Sequence, residues 1–166
     1  MNFRYLNSND VEAYRSLRLK SLQTDPRGFA STYQREINFP IENFKKRLVC
    51  TSTHFTIGAF DGGKLVCFAT FYSETLNKIK HKGNLVGVYC DPNYRKLGIT
   101  QQLIQKIIDV VTEQGLIKTI NLSVLSENNA AISLYKKLGF SKYGVEPKAL
   151  YDGTIYYDED LMILEL

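Results

Sequence analysis

The sequence predicts an α/β fold, a mixed β-sheet with helices on both faces. Three observations carry this expectation. Segments of helical period alternate with short apolar or alternating segments of strand character along the whole chain. The turn Asp61-Gly62-Gly63 separates HFTIGAF (54–60) from KLVCFATFYSETL, the signature of a β-hairpin. A nearly continuous apolar strand, NLVGVYC (84–90), leads through a short loop into an amphipathic helix.

Residues 2–6 (NFRYL) read as a short strand. Ser8, Asn9 and Asp10 then offer capping side chains to a helix running to about Leu22, with Val11, Tyr14, Leu17 and Leu22 on its inner side. Pro26 and Gly28 end it, and a second helical region comes after, split near Pro40 and ending in FKKRLVC. The hairpin and the 84–90 strand come next, the latter closed by Asp91-Pro92. Between Gly98 and Gln114, Leu103, Ile104, Ile107, Ile108 and Val111 recur at helical spacing, and Gly115 stops the helix. TINLSVL (119–125) is a strand, Asn128 to Leu138 a helix closed by Gly139, and the tail is strand, turn at Asp152-Gly153, strand.

Composition narrows the class. The chain has 166 residues, 44% hydrophobic and 23% charged, values of an ordinary globular domain. With no repeat or linker to divide it, residues 1–166 are expected to form one domain. A net charge of +4 is too mild to imply nucleic acid, and the basic residues are scattered in short groups. Cys50, Cys67 and Cys90 have no C-x-x-C spacing, and His54 and His81 are the only histidines, so no metal site is expected. Free thiols, no apolar leader and no membrane-length apolar run point to a cytoplasmic protein without nucleic-acid or membrane partners.

Two segments imply chemistry. In LVGVYCDPNYRKLGITQQL (85–103), a strand enters a helix through Arg95, Lys96, Leu97, Gly98, Ile99 and Thr100. The first amides of a helix lack internal partners and the helix dipole favours negative charge there. Gly98 lets an anion approach the backbone, Arg95 and Lys96 add charge, and Thr100 offers a hydroxyl, so the segment has the form of a pyrophosphate cradle. A plain tight turn with two exposed basic residues fits the local pattern equally well. In SVLSENNAAISLYKKLGF (123–140), Asn128, Ala131 and Tyr135 share a helix face. By periodicity alone Tyr135 is more often a packed core aromatic.

Taken together, these segments resemble the GCN5-related N-acetyltransferase (GNAT) superfamily in its bacterial single-domain branch. Its pyrophosphate motif, Q/R-x-x-G-x-G/A, is matched at Arg95 and Gly98, with Thr100 where Gly or Ala is usual. Its second hallmark, N-x-x-A-x-x-L-Y followed by L-G-F, is matched by Asn128, Ala131, Leu134, Tyr135, Leu138, Gly139 and Phe140. The resemblance implies a GNAT-like acyl-CoA N-acyltransferase fold and transfer of an acetyl group from acetyl-CoA, with no metal, to a primary amine in a ternary complex. It implies that strands 84–90 and 119–125 splay apart, and that Val88, Tyr89 and Cys90 pair with the pantetheine arm. Arg95 to Thr100 and Asn128 would complete the cofactor site, and Tyr135 would serve the leaving thiolate.

For the base that takes the amine's proton, Glu74, Glu127 and Glu146 are candidates and Glu74 ranks first, because it ends the strand before 84–90. Asp158-Glu159-Asp160 could attract a cationic acceptor, but reads rather as a solvated edge-strand face. With no extension to grip a large partner, a small-molecule amine is the expected acceptor. A protein N-terminus or lysine, and a non-catalytic acyl-CoA sensor, are the alternatives. Members of the family often dimerise, which leaves a homodimer open.

Overall fold

The computed structural model describes residues 1–166. Strands β1 (Asn2–Tyr5), β2 (His54–Asp61), β3 (Lys64–Ser73), β4 (Lys82–Cys90), β5 (Thr119–Leu125), β6 (Ser141–Tyr151) and β7 (Tyr156–Glu165) form one sheet. Its order is β1-β2-β3-β4-β5-β7-β6. Every pairing is antiparallel except β4 with β5, whose connection carries helix α4 (Ile99–Gln114). Helices α1 (Val11–Thr24), α2 (Tyr33–Glu36) and α3 (Ile41–Arg47) join β1 to β2, and α5 (Asn129–Lys137) joins β5 to β6. No helix is long and apolar enough to cross a membrane.

The helices divide between the faces as the sequence predicts. On one face, Leu103, Ile104, Ile107 and Val111 of α4 pack on Ile57, Ala69, Phe71 and Leu85, with Tyr135 of α5 and Leu138 at its C-terminal end continuing the layer over Leu122 and Met162. On the other, Val11, Tyr14 and Leu17 of α1 and Phe44 of α3 enclose Phe60, Leu65, Phe68 and Tyr89. This α1 face is covered over β1 to β4. Toward β6 it opens, where Ser123 and Glu146 are exposed.

The tail departs from expectation in one consequential way. β7 is not an edge strand; it lies between β5 and β6, and Asp160 is buried at 5% exposure. Its carboxylate accepts a hydrogen bond from Ser126 Oγ at 2.6 Å and pairs with Lys142 Nζ at 2.9 Å, so Asp158-Glu159-Asp160 is not a solvated edge. The edge strand is β6, where Pro147 sits in a register break between Glu146 and Leu150. β4 begins two residues earlier than its apolar run, because ladder bonds to β5 recruit the polar Lys82 to Asn84.

A buried ion cluster fixes the helical layer on the α1 face. Glu36 is fully buried, and its carboxylate takes Arg18 of α1 through two hydrogen bonds, 2.8 and 3.1 Å, and Arg47 of α3 at 2.8 Å. Burial pushes the Glu36 carboxyl up, but the two guanidiniums outweigh it and hold it down at about 2. A depressed folded-state value contributes stability that is present above the unfolded carboxyl value and lost as pH falls toward 2. Glu36→Gln is therefore expected to destabilise by about 3 kcal/mol at pH 7, since the buried Arg18 and the half-buried Arg47 lose their partner. Urea unfolding should show the wild type losing about 3 kcal/mol on acidification from pH 5 to pH 2 through this group. The variant should lack that component.

Candidate active site

The site originates in an interrupted ladder. β4 and β5 pair only from Lys82–Asn84 to Thr119–Asn121, after which the two strands diverge. At Gly87 the backbone takes φ 61°, and the β3–β4 register shifts between Phe68 and Thr70. A bulge of this kind bends its strand and re-aims the residues beyond it. Past Asn84 and Asn121, the backbone groups that face across the gap have no ladder partner. The gap is a cleft of about 850 Å³, within the usual range of a ligand site.

The cleft passes through the sheet. On the α4–α5 face it is lined by Cys90, Val124, Ala131, Leu134 and Tyr135; on the α1 face by Phe29, Val86, Ser123, Leu125 and Glu159. The register explains the second group. Val124 and Leu122 of β5 lie opposite Asp160 and Met162 of β7, on the α4 side. Leu125 and Ser123, opposite Glu159 and Leu161, must then face the other way.

Arg95 to Thr100 form the rim on the α4 side. Lys96 has φ 63° and Gly98 φ 75°, so the chain turns through left-handed backbone just before α4. Gly98 caps that helix with no side-chain hydrogen bond, and the first internal bond runs from Gln102 N–H to Gly98 carbonyl at 3.1 Å. The amides of Lys96 through Gln101 thus have no partner within the chain, and a side chain at Gly98 would be strained by its φ. This backbone can hold a pyrophosphate.

Two side chains of the rim behave differently from expectation. Arg95 is not a free charge: its Nε donates to the Cys90 carbonyl at 3.0 Å and its Nη2 pairs with Asp25 at 2.6 Å. It ties the end of α1 to the cradle. Thr100 turns its hydroxyl inward, 3.8 Å from Cys67 Sγ, so the cradle is left to its backbone amide. Cys67 is the register partner of Cys90, and both thiols are buried. Hydrogen bonding from Cys67 draws the Cys90 thiol below its ordinary value, and the Cys67 thiol is pushed up in return. Val88 joins the α4-side core, while Tyr89 faces α1, its hydroxyl 2.8 Å from Thr24 Oγ1. Leu97 and Lys96 are exposed beside the cleft and Ile99 is buried.

α5 brings the second motif to the same cleft. Asn128 caps the helix, its Oδ1 accepting from Ala131 N–H at 3.1 Å, which leaves the amide nitrogen of the side chain for other partners. Tyr135 is 7% exposed and stacks edge-on against Phe140 at 5.8 Å. Burial, with a smaller contribution from Cys67, pushes its phenol up to about 12.

The carboxylates sort themselves less as expected. Glu74 follows β3 and accepts from Asn84 Nδ2 at 2.9 Å, where the strands are still paired. It does not line the cleft. Glu127 and Glu146 are exposed and do not line it either. The carboxylates that do are Asp25, engaged by Arg95, and Glu159. Within Asp158-Glu159-Asp160 the sequence does not set Glu159 apart. Its neighbour Asp160 looks equally polar, and only the insertion of β7 beside β5 turns one inward and the other toward the cleft. No cluster of His, Cys, Asp and Glu side chains able to hold a metal ion is present.

Comparison with known proteins places this geometry. Residues 17–140 match the acetyltransferase (GNAT) family. The chain is 30% identical over 104 residues to the [ribosomal protein bS18]-alanine N-acetyltransferase of Escherichia coli, covering 63% of this chain and 65% of that protein. It is 29% identical over 110 residues to the N-alpha-acetyltransferase RimI of Mycobacterium tuberculosis, with 64% of each covered. The match thus spans somewhat under two thirds of these relatives' length. A GNAT-family acetyltransferase from Streptococcus pneumoniae superimposes with a TM-score of 0.88 at 22% identity, covering 99% of this chain and 98% of that one. yncA of Salmonella typhimurium, solved with its cofactor acetyl-CoA, superimposes at 0.84 and 18% identity, covering 100% and 94%. The seven-stranded sheet, its diverging parallel strands and the matched sequence together establish that the chain belongs to the acetyltransferase (GNAT) family.

Proposed function

We propose that this protein transfers the acetyl group of acetyl-CoA to a primary amine within a ternary complex. The observation that carries this reading is the through-sheet cleft, with a phosphate-binding backbone and a buried tyrosine on one side and an open half-sheet on the other. Two reactants can enter from opposite faces and meet between β4 and β5. Bound there, acetyl-CoA supplies a thioester whose carbonyl carbon takes the amine nitrogen, the C–S bond breaking with its electron pair left on sulfur.

The chain's own groups divide the work. The unpartnered amides of Lys96 to Gln101 hold the pyrophosphate, with Lys96 adding charge. The unpaired edge of β4 at Val88 to Cys90 accepts the pantetheine arm as an added strand. An amide of that edge set against the thioester oxygen would lower the barrier by roughly 3 kcal/mol. Tyr135 stands on the α5 side, where the sulfur departs. With its phenol near 12 and a thiol near 8.5, full proton transfer would be uphill by about 5 kcal/mol, so Tyr135 donates a hydrogen bond and keeps its proton.

For the acceptor, one relative named for alanine N-acetylation of a ribosomal protein and another named an N-alpha-acetyltransferase favour the α-amine of a polypeptide over the small amine that the sequence suggests. The open face beside Ser123 and Glu146 supports this, because it leaves room for an extended chain.

Acetyl-CoA at a hundred times its dissociation constant should raise the unfolding temperature by roughly 5–10 °C, and ATP should not. Gly98→Val should lose most of that shift. A full shift in the variant would show that the cradle lies elsewhere. Tyr135→Phe is expected to lower kcat by about 10- to 100-fold with acetyl-CoA affinity changed less than threefold. Thiol release should be followed with a peptide beginning in alanine and with spermidine as the competing acceptor. Transfer to spermidine alone would return the acceptor to the small-molecule class.

A further inference from the structure

An amine that attacks a thioester must shed a proton, and neither β4 beyond Asn84 nor β5 carries a carboxylate. We infer that Glu159 is the catalytic residue that receives the acceptor's ammonium and removes that proton. The inference rests on the acetyl-transfer reading above. It deepens that reading by giving the acceptor side of the cleft a chemical function.

Three features of the structure support it. First, Glu159 lines the cleft from β7, directly opposite Leu125 of β5, and therefore faces the α1 side. Tyr135 enters from the α5 side. The group that would take the amine's proton and the group that would stabilise the leaving sulfur thus approach the gap from opposite faces of one sheet. A proton acceptor on the amine's side and a hydrogen-bond donor on the sulfur's side suit addition at the carbonyl followed by expulsion of the thiolate.

Second, Glu159 is half-buried and forms no ion pair or side-chain hydrogen bond with the chain. The contrast with Asp25, Asp91 and Asp160 is informative. Asp25 lines the same cleft, and it, Asp91 and Asp160 are each already held by a cation: Arg95, Lys20 and Lys142. A carboxylate facing a cleft without a cation is suited to take an incoming one.

Third, its surroundings favour a cation over an anion. Glu146 of β6 is its register partner and adds a second negative charge on the same face. Arg27, from the loop after α1, keeps its charge where it lies over the ring of Tyr157, two residues along β7, at 5.0 Å, but it forms no ion pair with Glu159. Asp25 is paired with Arg95, and Tyr157 donates to Asp152 at 2.7 Å. From β5, Ser123 and Leu125 bring no charge.

The proton balance is simple. The ammonium gives one proton to the Glu159 carboxylate, the freed amine forms the N–C bond, and the second proton lost from nitrogen neutralises the thiolate or passes to water. General-base assistance of this kind is worth about 10²–10⁴ in rate.

The test compares wild type and Glu159→Gln with acetyl-CoA and an alanine-initial peptide, from pH 5.5 to 9.5. The expected result is a loss of at least about 10²-fold in kcat/KM at pH 7. The bell-shaped wild-type profile should become a single rise that levels off near the α-amine's own value, about 8. An aromatic amine, already uncharged at neutral pH, should react with both proteins within about threefold, which a merely structural defect would not allow. The acetyl-CoA-induced thermal shift should be retained. An active wild type with a variant within twofold of it at every pH would overturn the role of Glu159 alone. A wild type that transfers acetyl to no amine would overturn the acetyl-transfer reading, and this inference with it.

Discussion

The molecule depends on the early end of one β-ladder. Two parallel strands in the middle of a sheet normally continue their bonds to their ends, because unpaired buried backbone is costly. Here the ladder between β4 and β5 stops at Asn84 and Asn121, and the bulge at Gly87 carries β4 away. Backbone donors and acceptors are thereby released inside the fold, where a cosubstrate can satisfy them. The sheet stays intact because each diverging strand is braced on its other side, β4 by β3 and β5 by β7.

Charged contacts hold the walls of that gap in register. Glu36 binds α1 and α3 together through Arg18 and Arg47, so the acceptor-side helices move as one layer. Arg95 then links that layer to the cradle through Asp25, and Lys20 does so through the buried Asp91 at 2.7 Å. Asp91 also caps the turn after β4 by accepting from Asn93 N–H at 3.1 Å. Arg95 and Lys96, both of which look like ligand contacts in the sequence, thus part company. Arg95, like Lys20, is held in an ion pair that braces the site, while Lys96 is exposed beside the cleft and forms no ion pair.

Burial limits the chemistry open to Tyr135. Near the surface a phenol could exchange protons with a departing thiolate at modest cost; at 7% exposure its ionised form is strongly disfavoured. The same packing against Phe140 that raises its value also fixes its ring, so the hydroxyl is held in place as a donor. Position, more than acidity, is what the helix provides.

The sequence by itself determined the element order, the two faces and both motifs. Local signals suffice for these: Asp61-Gly62-Gly63 makes the hairpin turn, the Leu103-to-Val111 stripe makes α4, and the unsatisfied amides after Gly98 arise because it opens a helix. Local sequence favours Glu74 over Glu159 because nearness along the chain stands in for nearness in space. The strand order brings Glu159 rather than Glu74 to the cleft: the last hairpin folds back so that β7, not β6, lies against β5. Pairing across the sheet couples residues more than thirty positions apart, such as Leu125 and Glu159, and no local pattern encodes which partner a strand takes. The same reason hid the ion pair of Arg95 with Asp25 and the inward turn of Thr100 toward Cys67. Only the tertiary structure decided which polar side chains meet one another, and so which remain for a ligand.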